Sequence, residues 1–347
     1  MLISRERNRY APIDYHKVKD GRFLTRGSSW LLPQVRNFIL SAKPEVVCDP
    51  FAGACHMLRA VSRLVPQTPL IAYDILPLSD IRHNDSLIDI PASPDMLIVS
   101  NPPFLAKHSA RRKRVYSEVE HYFELNSKYT DLYQIALDRM LSVADRVVAI
   151  LPETFINAGL FRKHLQELTV LEHNPFTDTD CPVVVACFGP DSRATTPVYR
   201  DSARIGELDV LEAVRLRPHN HHPIRFNVKN GLIGLQAVDT HDPKRPIRFM
   251  PRAMLGYRQS GIKVSSRLVT YISVPHLKSS EIEEVCRAAN KRLDDLRARS
   301  QDIILSPFKG NRSDGRRRRR LDYSTARAIL EEAIDDVSTP STLWNNQ

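Results

Sequence analysis

Val46-Val47-Cys48-Asp49-Pro50-Phe51-Ala52-Gly53-Ala54-Cys55 is the stretch that decides the fold. An apolar run ends on an acid, a tight turn of small residues follows, and His56 to Val65 carries a helical pattern. The same figure returns along the chain. Leu70-Ile71-Ala72-Tyr73-Asp74 is a second apolar run closing on an acid, and Asp95 to Ser100 is a third, leading straight into Asn101-Pro102-Pro103-Phe104. Arg146 to Pro152 and Pro182 to Phe188 read as two more buried strands. Apolar residues at helical spacing predict helices over Tyr129 to Val143 and Phe161 to Leu168. Near-continuous apolar strands separated by helices give an α/β fold with a largely parallel sheet.

After about residue 190 the pattern changes. Basic segments are punctuated by Pro and Gly, one amphipathic helix is expected from about Ser280 to Arg299, a basic loop follows, and a last helix covers about Ser324 to Asp336. The chain therefore reads as two domains, 1–200 and a smaller, less regular 201–347. Of 347 residues, 50 are Lys or Arg and 40 Asp or Glu, a net +10. Residues 1–200 hold 24 basic and 22 acidic residues, and 201–347 hold 26 and 18, so the excess sits in the second part. Such asymmetry points to a polyanionic partner, most often nucleic acid.

Other classes are excluded by simple counts. With 42% hydrophobic and 26% charged residues the composition is that of a globular chain. No apolar run reaches the length of a membrane span. The opening MLISRERNRY carries charge where a signal peptide needs apolar residues. Cysteines 48, 55, 181, 187 and 286 are odd in number and form no CxxC pair, which argues against a disulfide framework or a zinc site and for a cytoplasmic setting.

Four groups carry chemistry. The turn after Asp49 lets a ligand approach the backbone at the start of a helix; an ordinary strand–turn–helix junction would look similar. Asp74 alone would read as a surface or capping acid, but its place one strand after Asp49 suits the two hydroxyls of a ribose. Asn84-Asp85-Ser86 falls at the next strand end, where Asp85 would accept from an adenine amino group; a plain turn is the rival reading. Ser100-Asn101-Pro102-Pro103-Phe104 is the most specific. The prolines remove backbone donors. What remains is an Asn oxygen and a proline carbonyl, two acceptors suited to a planar amino group, with an aromatic ring beside them.

DPFAGAC, Asp74 and NPPF in this order resemble the S-adenosylmethionine-dependent amino methyltransferases that act on adenine N6 or cytosine N4 in DNA. The likeness spans most of residues 23 to 188. Phe23-Leu24-Thr25-Arg26-Gly27 resembles the segment that meets the methionine end of the cofactor. Lys128 to Tyr133 and Val148 to Phe155 resemble the segments that follow the catalytic loop in γ-type adenine enzymes, of which the TaqI-like enzymes are the nearest pattern. Two positions depart: Cys55 stands where the family loop usually has Gly, and Phe104 where Tyr is more frequent.

The resemblance implies a Rossmann-like mixed sheet with a basic C-terminal target-recognition domain. It implies S-adenosyl-L-methionine held by Phe23, Thr25, Asp49, Pro50, Phe51, Gly53, Asp74 and Asp85. Catalysis falls to Asn101, Pro102, Pro103 and Phe104, with Phe104 and Phe176 sandwiching a flipped base. It implies a prokaryotic or phage-encoded monomer acting on double-stranded DNA, without membrane or metal, and leaves open a cognate restriction endonuclease. Asn101, rather than Ser, favours adenine over cytosine. RNA or protein-glutamine methylation, and a binding module without activity, stay open.

Two basic runs are candidate DNA contacts. Lys107, Arg111, Arg112, Lys113 and Arg114 follow the catalytic motif. Lys309, Arg312, Arg316, Arg317, Arg318, Arg319 and Arg320 share a twelve-residue stretch with one acid and read as a pliable loop on phosphates or guanine edges. Arg258, Lys263 and Arg267 are weaker candidates. His219, His221 and His222 have no acid near them in sequence and read as turn residues rather than metal ligands.

Overall fold

The computed structural model describes residues 25, 27–76, 81–176, 179–190, 194–255 and 268–338. The chain divides into two compact units between Gly206 and Glu207. Phe23, Arg258, Lys263 and Arg267 lie outside the described residues.

The first unit is built on a nine-stranded mixed sheet in the order β3-β2-β1-β4-β5-β7-β6-β8-β9. Its strands are β1 (Val46–Asp49), β2 (Leu70–Asp74), β3 (Arg82–His83), β4 (Met96–Ser100), β5 (Arg146–Pro152), β6 (Leu165–Val170), β7 (Val183–Phe188), β8 (Pro197–Arg200) and β9 (Ala203–Glu207). β1 pairs in parallel with both β2 and β4, and β4 with β5. β7 runs antiparallel between β5 and β6. Residues of β1, β4 and β7 are buried throughout, as strands covered on both faces must be. The chain leaves β1 toward β2 on one side and returns to β4 on the other. This is a Rossmann-like switch point, where loops at the C-terminal strand ends part and leave a crevice.

Helices follow the strands. α1 (Pro33–Ala42) starts on a proline, whose missing N–H is one the first helical turn leaves unused, and closes on Lys43 in the left-handed region. α2 (His56–Ser62), α3 (Lys107–Lys113), α4 (Tyr116–Leu125), α5 (Leu132–Val143) and the single turn α6 (Phe155–Ala158) complete the unit. The helix expected over Phe161 to Leu168 is not formed. Phe161 takes φ 60°, Arg162–His164 make one 3-10 turn, and β6 begins at Leu165. Leu165 and Leu168, three apart, have helical spacing. Between β7 and β8 the strand pairs its backbone on both edges and buries nearly every residue, which an amphipathic helix would not do.

The second unit holds α7 (Leu208–Ala213) and a four-stranded antiparallel sheet in the order β10-β13-β11-β12. Its strands are β10 (Arg225–Phe226), β11 (Ile233–Gln236), β12 (Arg248–Pro251) and β13 (Val269–Ser273). α8 (Ile282–Ser300) buries Ile282, Val285, Cys286, Ala289, Leu293 and Leu296 at helical spacing. α9 (Tyr323–Ser338) closes the described chain. Between them the expected basic loop is instead a hairpin of β14 (Ser306–Asn311) and β15 (Arg317–Arg320). Alternation along β15 sends Arg317 and Arg319 inward, at 4% and 1% exposure. Arg318 lies 4.9 Å from the centre of the Phe308 ring and donates to the Asp239 carbonyl. Arg312 pairs with Asp314. Of the seven cations, Lys309 and Arg316 are the ones in the exposed class. Asp335 of α9, distant in sequence, sits against both His221 and His222. Among the described residues no helix is long and apolar enough to cross a membrane.

Asp239 is the polar centre of this unit. Fully buried, it takes both Arg297 nitrogens at 2.9 and 3.0 Å, and the backbone N–H groups of Ile247 and Arg319 at 3.0 Å each. Burial alone would raise its carboxyl. The Arg297 guanidinium and the two backbone donors outweigh burial and hold it below the usual carboxylate range. Asp302 holds the other edge of Arg297 at 2.8 and 3.0 Å. Asp239→Ala strands a buried guanidinium and should cost about 3–5 kcal/mol, read as a lower urea midpoint. Asp242→Ala, on an exposed turn, should stay within about 0.5 kcal/mol. Equal effects would show that Asp239 does not organise the unit.

Candidate functional site

At the switch point β1 delivers Asp49, β2 delivers Asp74, and β4 delivers Ser100 and then Asn101. A cavity of about 440 Å³ opens between these strand ends. Thr25, Asp49, Phe51, Gly53, Asp74 and Asp85 line it, and so do Asn101, Pro102 and Pro103. Residues that the sequence leaves up to 78 positions apart, from Thr25 to Pro103, thus share one wall. Pro50 is buried behind the turn and is not part of the lining.

Asp49 is 2% exposed. Its Oδ1 accepts from Ser100 Oγ at 2.6 Å and from the Phe51 N–H at 3.1 Å. Burial pushes its carboxyl up to about 7, against the pull of these two donors and with a further push from the Asp74 charge. Asp74 Oδ2 accepts from the Gly53 N–H and Oδ1 from the Leu76 N–H, each at 2.9 Å. Gly53 is left-handed at φ 51°, which turns its N–H toward Asp74. Cys55, two residues on, also sits at φ 58°, a conformation that glycine adopts without a Cβ penalty. The turn therefore keeps the backbone path that a glycine would give.

Asp85 differs from expectation. Its Oδ2 accepts from the Tyr122 hydroxyl of α4 at 2.7 Å and its Oδ1 from the Leu87 N–H at 3.2 Å. Burial first, and then the Asp85 carboxylate, drive the Tyr122 phenol well up, so it stays a donor. An incoming amino group must share Asp85 with Tyr122, a residue that no local pattern marks.

The Asn101-to-Phe104 loop is clamped from α5. The Leu105 N–H donates to Asp131 Oδ1 at 2.9 Å, the Lys107 N–H to the Thr130 carbonyl at 2.8 Å, and the Leu132 N–H to the Leu105 carbonyl at 3.3 Å. Asp131 is also the N-cap of α5, in a capping box with Gln134. One carboxylate thus serves both the helix and the loop. Burial pushes it up to about 7 while the N–H groups of Tyr133, Leu105 and Leu132 pull the other way.

Phe104 and Phe176 are brought together but not as a sandwich. Both are buried, with centroids 6.2 Å apart and planes at 65°, so one edge meets the other face. A flat base between them needs parallel faces, so one ring must turn first. Thr25 and Phe176 are joined by an antiparallel bridge, which sets Thr25 beside this pair. Lys107 to Lys113 form α3, and Arg114 ends it in the left-handed region. Arg111 lies 4.6 Å from the Tyr116 ring centre, while Arg112 and Arg114 face solvent.

No protein-family model matches the chain, and no curated protein matches it. Solved structures do. One is the type IIG restriction endonuclease BpuSI, at 17% identity and TM-score 0.35, covering 49% of this chain and 26% of that one. Another is the type I restriction-modification methyltransferase subunit from Streptococcus thermophilus, at 16% and 0.36, covering 52% and 48%. A third is the M protein of the type I restriction enzyme EcoKI, at 12% and 0.35, covering 88% and 69%. The chain thus spans about a quarter of the first of these proteins.

Asp131→Ala removes a helix cap and the acceptor of a loop N–H together. Its cost should be about 2–4 kcal/mol, measured by urea unfolding at pH 8, and Asp131→Asn should recover most of it. The pH dependence has a fixed sign. With a folded value near 7 against an ordinary value of 3.8, the folded state holds the extra proton between them. This group's contribution to stability therefore falls as pH rises through that window and is level above it. Asp131→Asn should flatten that part of the stability–pH curve, and an unchanged slope would contradict the assignment.

Proposed function

We propose that the first unit is an S-adenosylmethionine-dependent methyltransferase acting on adenine N6 in double-stranded DNA, with the second unit reading the target. The observation that carries this is the shared cavity: the acceptors Asn101 and Pro102 line the same space as Asp49 and Asp74, at the reversal of the strand order.

The lining suits the cofactor. Thr25 Oγ1 is buried without a hydrogen-bond partner among the described residues, in the segment assigned to the methionine end. Asp74 faces the cavity with lone pairs left after its two backbone contacts, suited to ribose hydroxyls. Asp49 supplies negative charge toward a cationic ligand. When bound, S-adenosylmethionine supplies a methyl group on a positively charged sulfur.

The chain's own groups do the rest. A base inside a duplex is out of reach, so the target must rotate out of the stack. The Phe104–Phe176 pair parts to receive it, each face contributing ~1–3 kcal/mol of stacking. The Asn101 oxygen and the Pro102 carbonyl accept the two N6 protons. This draws the nitrogen toward a tetrahedral shape and frees its lone pair for in-line attack. The nitrogen then releases one of its protons to solvent water. Positioning and fixed dipoles carry such a step, with no covalent enzyme intermediate. Asp131 acts through the loop by holding Leu105 and is a positioning residue. Lys107, Arg112 and Arg114 beside the loop, and Lys309 and Arg316 in the second unit, meet phosphates.

Methyl transfer from labelled cofactor to mixed-sequence duplex DNA, read by nucleoside mass analysis, tests the proposal. N6-methyladenine is the expected product. Asn101→Ala should lower kcat by on the order of 10²–10³ while cofactor affinity changes little. N4-methylcytosine alone would change the assigned base, and transfer to RNA or protein but not DNA would overturn the substrate. Cofactor affinity carries a second expectation. Asp49 is charged above about 7 and neutral below, so the dissociation constant should rise up to about tenfold from pH 8 to pH 6. Asp49→Asn should bind weakly at both, as calorimetry would show.

A further inference from the structure

We propose that His221, His222 and Asp335 form a binding site for one divalent transition-metal ion of the zinc class. The site lies wholly within the second unit and is independent of the methyl-transfer chemistry.

Its three donor atoms converge without an ion. His221 Nε2 lies 3.0 Å from Asp335 Oδ2, and His222 Nε2 lies 2.9 Å from Asp335 Oδ1. All three lie within 4.8 Å of one another. Ligand atoms around tetrahedral zinc, each roughly 2.0–2.2 Å from the metal, stand only slightly farther apart than these contacts. Two imidazoles and a carboxylate form a donor set that favours zinc over magnesium or calcium.

Adjacent residues rarely aim at one point, so the convergence needs a cause. Asn220 supplies it: at φ 60° it is left-handed and bends the chain just before the pair. A short backbone contact from the Ile224 N–H to the His222 carbonyl, 2.8 Å, tightens the other side. The segment is then laced to one stripe of α9. Arg327 donates to the Ile224 carbonyl at 2.6 Å, Glu331 Oε2 accepts from the His219 N–H at 2.7 Å, and Asp335 takes both imidazoles. Residues 327, 331 and 335 recur every fourth position and share a helix face.

His276, in the loop after β13, completes the arrangement. Its Nε2 lies 3.2 Å from His222 Nδ1, and the two rings stack at 5.1 Å. An Nδ1–H of His222 donated to His276 leaves the Nε2 lone pair of His222 facing Asp335. Metal-binding histidines commonly have their second nitrogen fixed by such an outer partner. The site is open to an ion: the side chains of His221 and Asp335 are 43% and 51% exposed, and that of His222 is 15%. A bound ion would join three segments distant in sequence: the turn at 219–224, the loop at 276 and the end of α9.

The test uses the full chain, tag removed and stripped with chelator, titrated with zinc chloride alone. Calorimetry should give one ion per chain at micromolar affinity, and cobalt(II) should give the visible bands of a tetrahedral N/O site. Saturating zinc should raise Tm by roughly 5 °C. Asp335→Asn and His222→Ala should each weaken binding by at least about 100-fold. His276→Ala should weaken it by about 10–100-fold, and His173→Ala, on an exposed histidine, should leave it unchanged. Metal-free melts should show every variant folded. Binding below half an equivalent, or binding indifferent to Asp335→Asn, would overturn the site and leave a hydrogen-bonded His–Asp cluster only.

Discussion

The hydrogen bond from Ser100 Oγ to Asp49 Oδ1, 2.6 Å long and buried, joins β1 to β4 where the strand order reverses. The rest of the site is referred to it. Parallel neighbours that leave in opposite directions have loops with nothing between them. Their N–H groups need acceptors, since an unpaired buried donor costs about as much as a lost hydrogen bond. Carboxylates at the strand ends meet that need in series. Asp49 takes the Phe51 N–H, Asp74 takes Gly53 and Leu76, Asp85 takes Leu87, and Asp131 takes Leu105. Each acid fixes a loop, and Asp49, Asp74 and Asp85 also line the cavity. Two of these four acids, Asp49 and Asp131, are pushed up to about 7 by burial.

What the sequence made legible follows from burial. β1, β2, β4, β5 and β7 stand out as apolar runs because parallel or central strands are covered on both faces. Leu165 and Leu168 stand three apart, a helical spacing, and only the partners β7 and β8 make this stretch a strand. The sheet of the second unit stayed hidden because its strands are two to five residues long and interrupted by Gly and Pro. The cavity residues were found through short-range motifs. Tyr122 and Asp131 were not, since their site roles rest on contacts 37 and 26 positions away. Asp335 lies 113 positions from His222, a separation that no spacing rule covers.

The positive charge of the second unit is also less available than composition implies. Arg297 is held by Asp239 and Asp302, Arg292 by Glu332 and Asp336, and Arg248 by Asp294. Arg317 and Arg319 point inward along β15. A run of arginines that looks like a nucleic-acid surface is in part the inner face of a hairpin, with aliphatic stems serving as core. Electrostatic attraction to a polyanion then falls to fewer, identifiable side chains.

The placing of β7 between β5 and β6 governs the order in which a growing chain can fold. Every residue of the cavity wall has been synthesised by Leu132, yet β5 gains its second neighbour only when Val183 to Phe188 arrive. Until then a seven-residue, almost wholly apolar strand has an open edge, the kind of template that recruits other chains. A fragment ending at β5 would carry the whole cavity lining but neither Phe176 nor the strand that covers the edge of β5.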